Sequence, residues 1–141
     1  MFETLKGRIP KSIDEEEYRK FAVMVALVKQ EDGLHVVFEK RAGGLERQPR
    51  EICLPGGARE GNESSEANAI RETMEELKIS REQIHMIAQM DTLYTAYDNK
   101  VSAYLCELRD YEMTYNEDEV AEIFTVPLKF FVETEPAAYV N

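Results

Sequence analysis

Residues 54 to 79, LPGGAREGNESSEANAIRETMEELKI, place three glycines, six glutamates and two arginines in one stretch. The chain around them is already acidic, with 17 Lys and Arg against 28 Asp and Glu and a formal net charge of −11. Carboxylates gathered on one short element repel one another, so a fold that keeps them together needs a compensating cation close by. Ser65 to Lys78 reads as that element, a helix. At roughly 100° per residue, Ala67, Ile70, Met74 and Leu77 fall in one narrow arc, which predicts the stripe facing the core. Glu72 and Glu76 then lie side by side on the opposite, outward face, with Glu75 to one side and Arg71 between Glu75 and the stripe.

A solvated acidic face is the ordinary explanation of such a pattern. Three features favour a site instead. Glu72 and Glu76 are four apart, and Glu75 and Glu76 occupy the last turn, where the helix dipole disfavours anions. Clustered carboxylate oxygens are also the donor set for Mg²⁺ or Mn²⁺, hard ions that hold substrate phosphates through one or two protein carboxylates and retained waters. Finally, the Gly56-Gly57 turn just upstream lets a backbone carbonyl approach the same ion and lets phosphate oxygens approach the backbone.

The rest of the chain supplies a scaffold. At 141 residues it fits a single domain spanning 1–141, and 43% hydrophobic content with seven Tyr and six Phe argues against disorder. The acidic balance argues against nucleic acid or an anionic membrane as the main partner. Cys53 and Cys106 form no CxxC pair and read as buried thiols, which suits a reducing cytoplasm. No apolar run approaches a membrane span and the first twenty residues are too charged for a signal peptide, so a soluble cytoplasmic protein is expected. Ser12–Lys20 reads as a short lead-in helix. Residues 21–30 and 34–42 read as paired strands joined by an Glu-Asp-Gly turn, and 43–53 as a loop. Residues 84–97, 100–111 and 118–126 read as further strands, with Pro127 opening a closing helix. One strong central helix among strands predicts an α+β sandwich.

Residues 57–79 resemble the Nudix box: Gly57, Glu63, Arg71, Glu72, Glu75, Glu76 and Ile79 fit its spacing. Thr73 stands where an aliphatic is usual and Lys78 where glycine is usual. The resemblance implies an α/β/α sandwich with a mixed sheet and metal-dependent hydrolysis of nucleoside diphosphates linked to another moiety. It implies Glu72 and Glu76 as principal Mg²⁺ (or Mn²⁺) ligands, Glu75 as a further ligand or water-orienting group, and the Gly57 carbonyl close by. Arg71 would hold a glutamate in place and Glu63 would brace the loop.

The upstream segment is similar to that of the coenzyme A pyrophosphatase branch, through Leu45, Pro49, Glu51, Ile52, Cys53, Pro55, Gly56 and Gly57; Glu46, Arg50 and Leu54 depart from it. This implies coenzyme A or a related species as the small-molecule substrate. ADP-ribose or a nucleotide sugar is the alternative, and a non-catalytic nucleotide-sensing module is the alternative of another class. Lys40, Arg41, Arg47 and Arg50 form a basic stretch suited to substrate phosphates, with the Gly56 and Gly57 backbone beside them. Glu117, Glu119 and Glu122 offer a catalytic carboxylate near the last strand, with Glu119 favoured; His35 and His85 read as structural or surface residues. The branch usually continues into a further C-terminal segment, so a homodimer or swapped element is expected to shield the sheet here.

Overall fold

The computed structural model describes residues 18–42 and 51–133. Strand β1 (Arg19–Gln30) and strand β2 (Gly33–Arg41) form the hairpin that the two apolar runs predict. Their mutual register runs from Leu27 opposite Val36 to Gln30 opposite Gly33. Beyond that the two strands part. β1 continues beside strand β4 (Gly56–Ala58), whereas β2 continues between strand β3 (Ile52–Cys53) and strand β7 (Val120–Pro127). The segment joining β3 to β4 bridges the fork, with the Met24 amide donating to the Pro55 carbonyl at 2.8 Å. On its far side β1 runs parallel to strand β6 (Asn99–Leu108), and strand β5 (Ile84–Tyr94) closes that edge antiparallel to β6. The sheet is therefore mixed and seven-stranded, as the α+β expectation requires.

Alternation along the strands decides what each face carries. Ala22, Met24, Ala26 and Val28 of β1 share one face with Val37 of β2 and with Tyr104, Cys106 and Leu108 of β6, and all are buried. Helix α1 (Ser65–Leu77) lies across this face over β1, β4 and β6. Ala22, Ala26 and Ala69 carry almost no bulk where helix and sheet meet, which allows a close approach, and Leu77, Ile79 and Ile84 fill in around them. On the opposite face Phe38 stacks on Phe124 at 5.7 Å, and Phe131 of helix α2 (Leu128–Glu133) packs on Phe38 at 6.2 Å.

Helix α1 has defined ends. Ser64 is its N-cap, with Oγ accepting from the Ala67 amide at 3.1 Å. Lys78 ends it in the left-handed region, φ 56 and ψ 54, the position where a glycine was expected and where the backbone does call for one. The last carbonyls are satisfied from a distant loop: Glu76 O accepts from the Asn116 amide at 2.8 Å and Leu77 O from Thr114 Oγ1 at 2.6 Å.

Several sequence expectations change. Residues 12–17 lie outside the described residues, and Arg19 and Lys20 extend β1 rather than ending a helix, because the parallel register with β6 reaches back to Asn99 and Lys100. The strand expected from Asp118 starts at Val120. Asn116 Oδ1 accepts from the Asp118 amide at 3.0 Å and the Asn116 carbonyl from the Glu119 amide at 3.0 Å, which closes a turn instead. Pro127 ends β7, and α2 begins one residue later. His35 bridges Asp32 and Thr125, at 2.8 and 2.9 Å, and both cysteines are free thiols. No helix among the described residues is long and apolar enough to cross a membrane.

Replacing Lys78 with glycine removes the left-handed strain at a half-in helix position. Lys78→Gly should raise unfolding stability by about 1 kcal/mol, read as a shifted urea midpoint at unchanged slope. An unchanged or lower midpoint would mean that Lys78 contributes something its dihedral does not show.

Candidate metal centre

Helix α1 meets the sheet on a face roughly a third of a turn away from its apolar stripe. Its buried residues are Asn68, Ala69, Thr73, Glu76 and Leu77, while Ala67 is exposed and Ile70 and Met74 are half-buried. The outward orientation expected for Glu72 and Glu76 is thus overturned: Glu76 is 1% exposed and the Glu72 side chain 12%. Small side chains explain the rotation, because Ala69 and Thr73 fit against the alanines of β1 where Ile70 and Met74 would not. Thr73 fills the expected aliphatic position and returns its hydroxyl to the Ala69 carbonyl at 2.7 Å, so burial leaves it satisfied.

Glu76 enters the fork between β1 and β2. The Gly56 amide donates to its Oε1 at 3.2 Å, and Arg41 Nη1 lies 3.9 Å from Oε2. Beside it stands Glu39 of β2, 0% exposed, with neither carboxylate oxygen hydrogen-bonded. Burial, then the neighbouring Glu39, pushes the Glu76 carboxyl up to about 11; burial likewise raises Glu39. Glu72 lies over Gly57, so closely that a Cβ there would come within 2.6 Å of its Oε2. At Gly56 a Cβ would meet the Ala22 carbonyl oxygen at 2.2 Å. The two glycines are therefore needed for close approach.

Arg71 is the hub. It donates to Glu63 from Nε at 3.0 Å and from Nη2 at 2.8 Å, to Glu72 from Nη1 at 3.1 Å, and to the Ala58 carbonyl at 3.1 Å. Hydrogen bonding to Glu63 raises the guanidinium's already high pKa and holds the Glu63 carboxyl below the usual range. Glu63 Oε2 also accepts from the Glu60 amide at 2.8 Å, which closes the glycine loop. Glu75, 48% exposed, lies 3.4 Å from Arg71 Nη1.

The turn at 117–119 carries Glu119 to this group. Carboxylate oxygens of Glu72, Glu75 and Glu119 all lie within 4.8 Å of one another. The loop that satisfies the end of α1 through Thr114 and Asn116 thus also delivers the third acid. Glu117 stays exposed in the turn, and Glu122 pairs with Lys40 at 3.3 Å on the far face of β2.

The expected basic stretch is not one surface. Lys40 and Arg41 are neighbours on a strand and point to opposite faces. Arg41 turns inward, donating from Nε to Cys53 Sγ and from Nη2 to the Gly56 carbonyl, each at 3.1 Å. Arg47 and Arg50 lie outside the described residues. The Gly57 carbonyl accepts from Asn68 Nδ2 at 3.4 Å. A cavity of about 150 Å³ opens beside the glycine loop, lined by Lys20, Arg59 and Lys100 together with Glu63, Ser65 and Asn68. The sequence reading missed those cations, which are far apart along the chain, and it missed Glu39. For Glu39 a signal existed: period-two alternation puts it on the same face as Val37.

These residues fit a hard divalent cation. Three carboxylates converge, a buried fourth has no partner, and the cradle under Glu72 is one that any side chain at position 57 would fill.

Residues 18–138 match the NUDIX domain model. The mouse peroxisomal coenzyme A diphosphatase is 30% identical over 96% of this chain and 60% of its own length. Nudix hydrolase 3 of Caenorhabditis elegans is 26% identical over 82% of this chain and 50% of its own length. The chain therefore spans only half to three-fifths of these relatives. Among solved structures, a C. elegans Ap4A hydrolase complex superposes with a TM-score of 0.67 at 21% identity, covering 80% of this chain and 83% of that one. A similarity at that identity concerns the fold.

The buried acids set the pH behaviour of the metal-free chain. Glu76, raised to about 11, holds its proton when folded, so its contribution is full below the ordinary carboxylate range and is lost as pH rises through that value. Glu63, shifted down, contributes steadily above the ordinary range and is lost only below it. The Tm of the chelator-treated protein should therefore fall steadily between about pH 5 and pH 10, and Mg²⁺ should flatten the slope. A Tm independent of pH over that interval would contradict the burial of Glu76.

Proposed function

The chain belongs to the Nudix family, and from that premise we propose that it hydrolyses the pyrophosphate of a nucleoside diphosphate derivative, with coenzyme A or a related species as substrate. The observation that carries the reading is the gathering of Glu72, Glu75 and Glu119 within 4.8 Å beside the glycine loop. Glu72, Glu75 and Glu76, with the Gly57 carbonyl, are the groups that would hold Mg²⁺ or Mn²⁺. Bound there, the ion would supply Lewis-acid activation of water and neutralise charge on the phosphoryl oxygens.

The chain's own residues do the rest. Arg71 fixes Glu72 and Glu63, so the acids keep one geometry through the reaction. Glu119 takes the proton of the attacking water as it adds to one phosphorus. The bond from that phosphorus to the bridging oxygen breaks, and two phosphomonoesters leave. Lys20, Arg59 and Lys100, lining the cavity next to the loop, suit the substrate's remaining phosphate charge. Coenzyme A is favoured by the segment upstream of the box and by the name of the mouse relative. We also propose a homodimer: Ile87, Met90 and Leu93 are exposed along edge strand β5. Light scattering at micromolar concentration should give twice the chain mass, and a monomer there would end that proposal.

The enzymatic reading is tested with a Mg²⁺-dependent assay offering coenzyme A and ADP-ribose in parallel. Release of 4′-phosphopantetheine should exceed release of AMP from ADP-ribose, and Glu72→Gln should lower kcat/KM by about 100-fold or more. Turnover of ADP-ribose alone would replace the substrate. Tight binding of either compound with no turnover would replace the enzyme with a nucleotide-sensing module.

A further inference from the structure

Glu39 is a long acid at a position built for an aliphatic. It shares the inward face of β2 with Val37, is 0% exposed, and both its oxygens are buried without a hydrogen-bond partner. A buried carboxylate in that condition is strongly unfavourable unless a cation or donor meets it. The neighbouring donors are engaged elsewhere. Arg41 gives Nε to Cys53 and Nη2 to the Gly56 carbonyl, and its Nη1 approaches Glu76. Tyr111 donates its hydroxyl to the Thr114 carbonyl. One guanidinium therefore serves two carboxylates, Glu39 and Glu76, which face each other in the fork. Neither oxygen of Glu39 is met by a donor from these groups.

Glu76 follows Glu72 by about one helical turn of α1, and Glu72 belongs to the outer group with Glu75 and Glu119. The acids thus run as a chain from the sheet to the surface: Glu39, Glu76, Glu72, then Glu75 and Glu119. Paired divalent cations about 4 Å apart, as in two-metal phosphoryl-transfer sites, use such shared carboxylates. We propose that Glu39 is a metal ligand of this chain, holding with Glu76 an inner divalent cation beside an outer one held by Glu72 and Glu75. The inference rests on the metal-dependent reading of the box acids and adds a ligand from β2, outside the box, that the helix alone would not supply.

The test is Mn²⁺ binding to the full chain, counted by electron paramagnetic resonance, together with melting curves with and without Mn²⁺. The wild type should bind two Mn²⁺ per chain. Glu39→Gln, close to isosteric, should lose one of them or weaken it at least about tenfold. Its metal-free form should melt higher than the metal-free wild type, because a buried charge has gone, yet gain less on adding Mn²⁺. If Glu39→Gln fails to fold, Glu39→Asp, which keeps the charge but shortens the reach, should show the same weakened binding. Mn²⁺ number and affinity unchanged in the variant would overturn the inference and leave the outer site standing. A wild type that binds no Mn²⁺ would overturn both this inference and the metal-dependent function.

Discussion

Close approach of one helix to a forked sheet is the constraint on which the site depends. β1 and β2 separate beyond Leu27 and Val36, and the glycine segment crosses the gap. Only backbone fits there: a Cβ at Gly56 would strike the Ala22 carbonyl, and one at Gly57 would strike the Glu72 carboxylate. Ala69 and Thr73 of α1 meet that surface, and the acids on the same side of the helix go inward with them. A side chain at Gly56 would push the glycine segment off β1, and one at Gly57 would push the Glu72 carboxylate off the loop.

Charge then decides what the site is for. Arg41 and Arg71 are the guanidiniums within this group, against Glu39, Glu63, Glu72, Glu75, Glu76 and Glu119. Arg71 is held chiefly by Glu63, through two charge-assisted bonds worth about 1.5–3 kcal/mol each, so it fixes the scaffold more than it neutralises the centre. Burial raises the proton affinity of Glu39 and, with Glu39 beside it, of Glu76. Added divalent charge relieves the repulsion among these acids, and it is the cation rather than a tighter core that the arrangement favours.

Much of this was legible in the sequence, for specific reasons. The box carries its meaning in spacing, so Gly57, Glu63, Arg71, Glu72, Glu75 and Glu76 could be singled out without coordinates, and long alternating runs gave β1, β2, β5 and β6. The box pattern marked position 78 as one where glycine is usual, but the left-handed conformation of Lys78 is seen only in the structure. The facing of α1 was misread because the wheel weighs hydrophobicity, whereas the sheet selects for small side chains and for acids with partners in the fork. β3 and β4 are two and three residues long and leave no periodic signal. Arg41 looked like a phosphate ligand because its charge stands out in the sequence more plainly than the strand face it shares with Val37 and Glu39. Glu39 was passed over as one acid in an apolar run, although its alternation with Val37 puts it on the inward face that the pairing of β2 with β3 and β7 buries.

The central claim is that the acids of α1 and the 117–119 turn converge on a divalent cation at the forked sheet. Anomalous diffraction from a crystal soaked in Mn²⁺ tests it most directly. The account predicts a peak about 2.1 Å from oxygens of Glu72 and at least one of its acidic neighbours, beside the Gly57 backbone. A map with no peak in that cleft, from a crystal whose Arg71 and Glu63 contacts are intact, would contradict it.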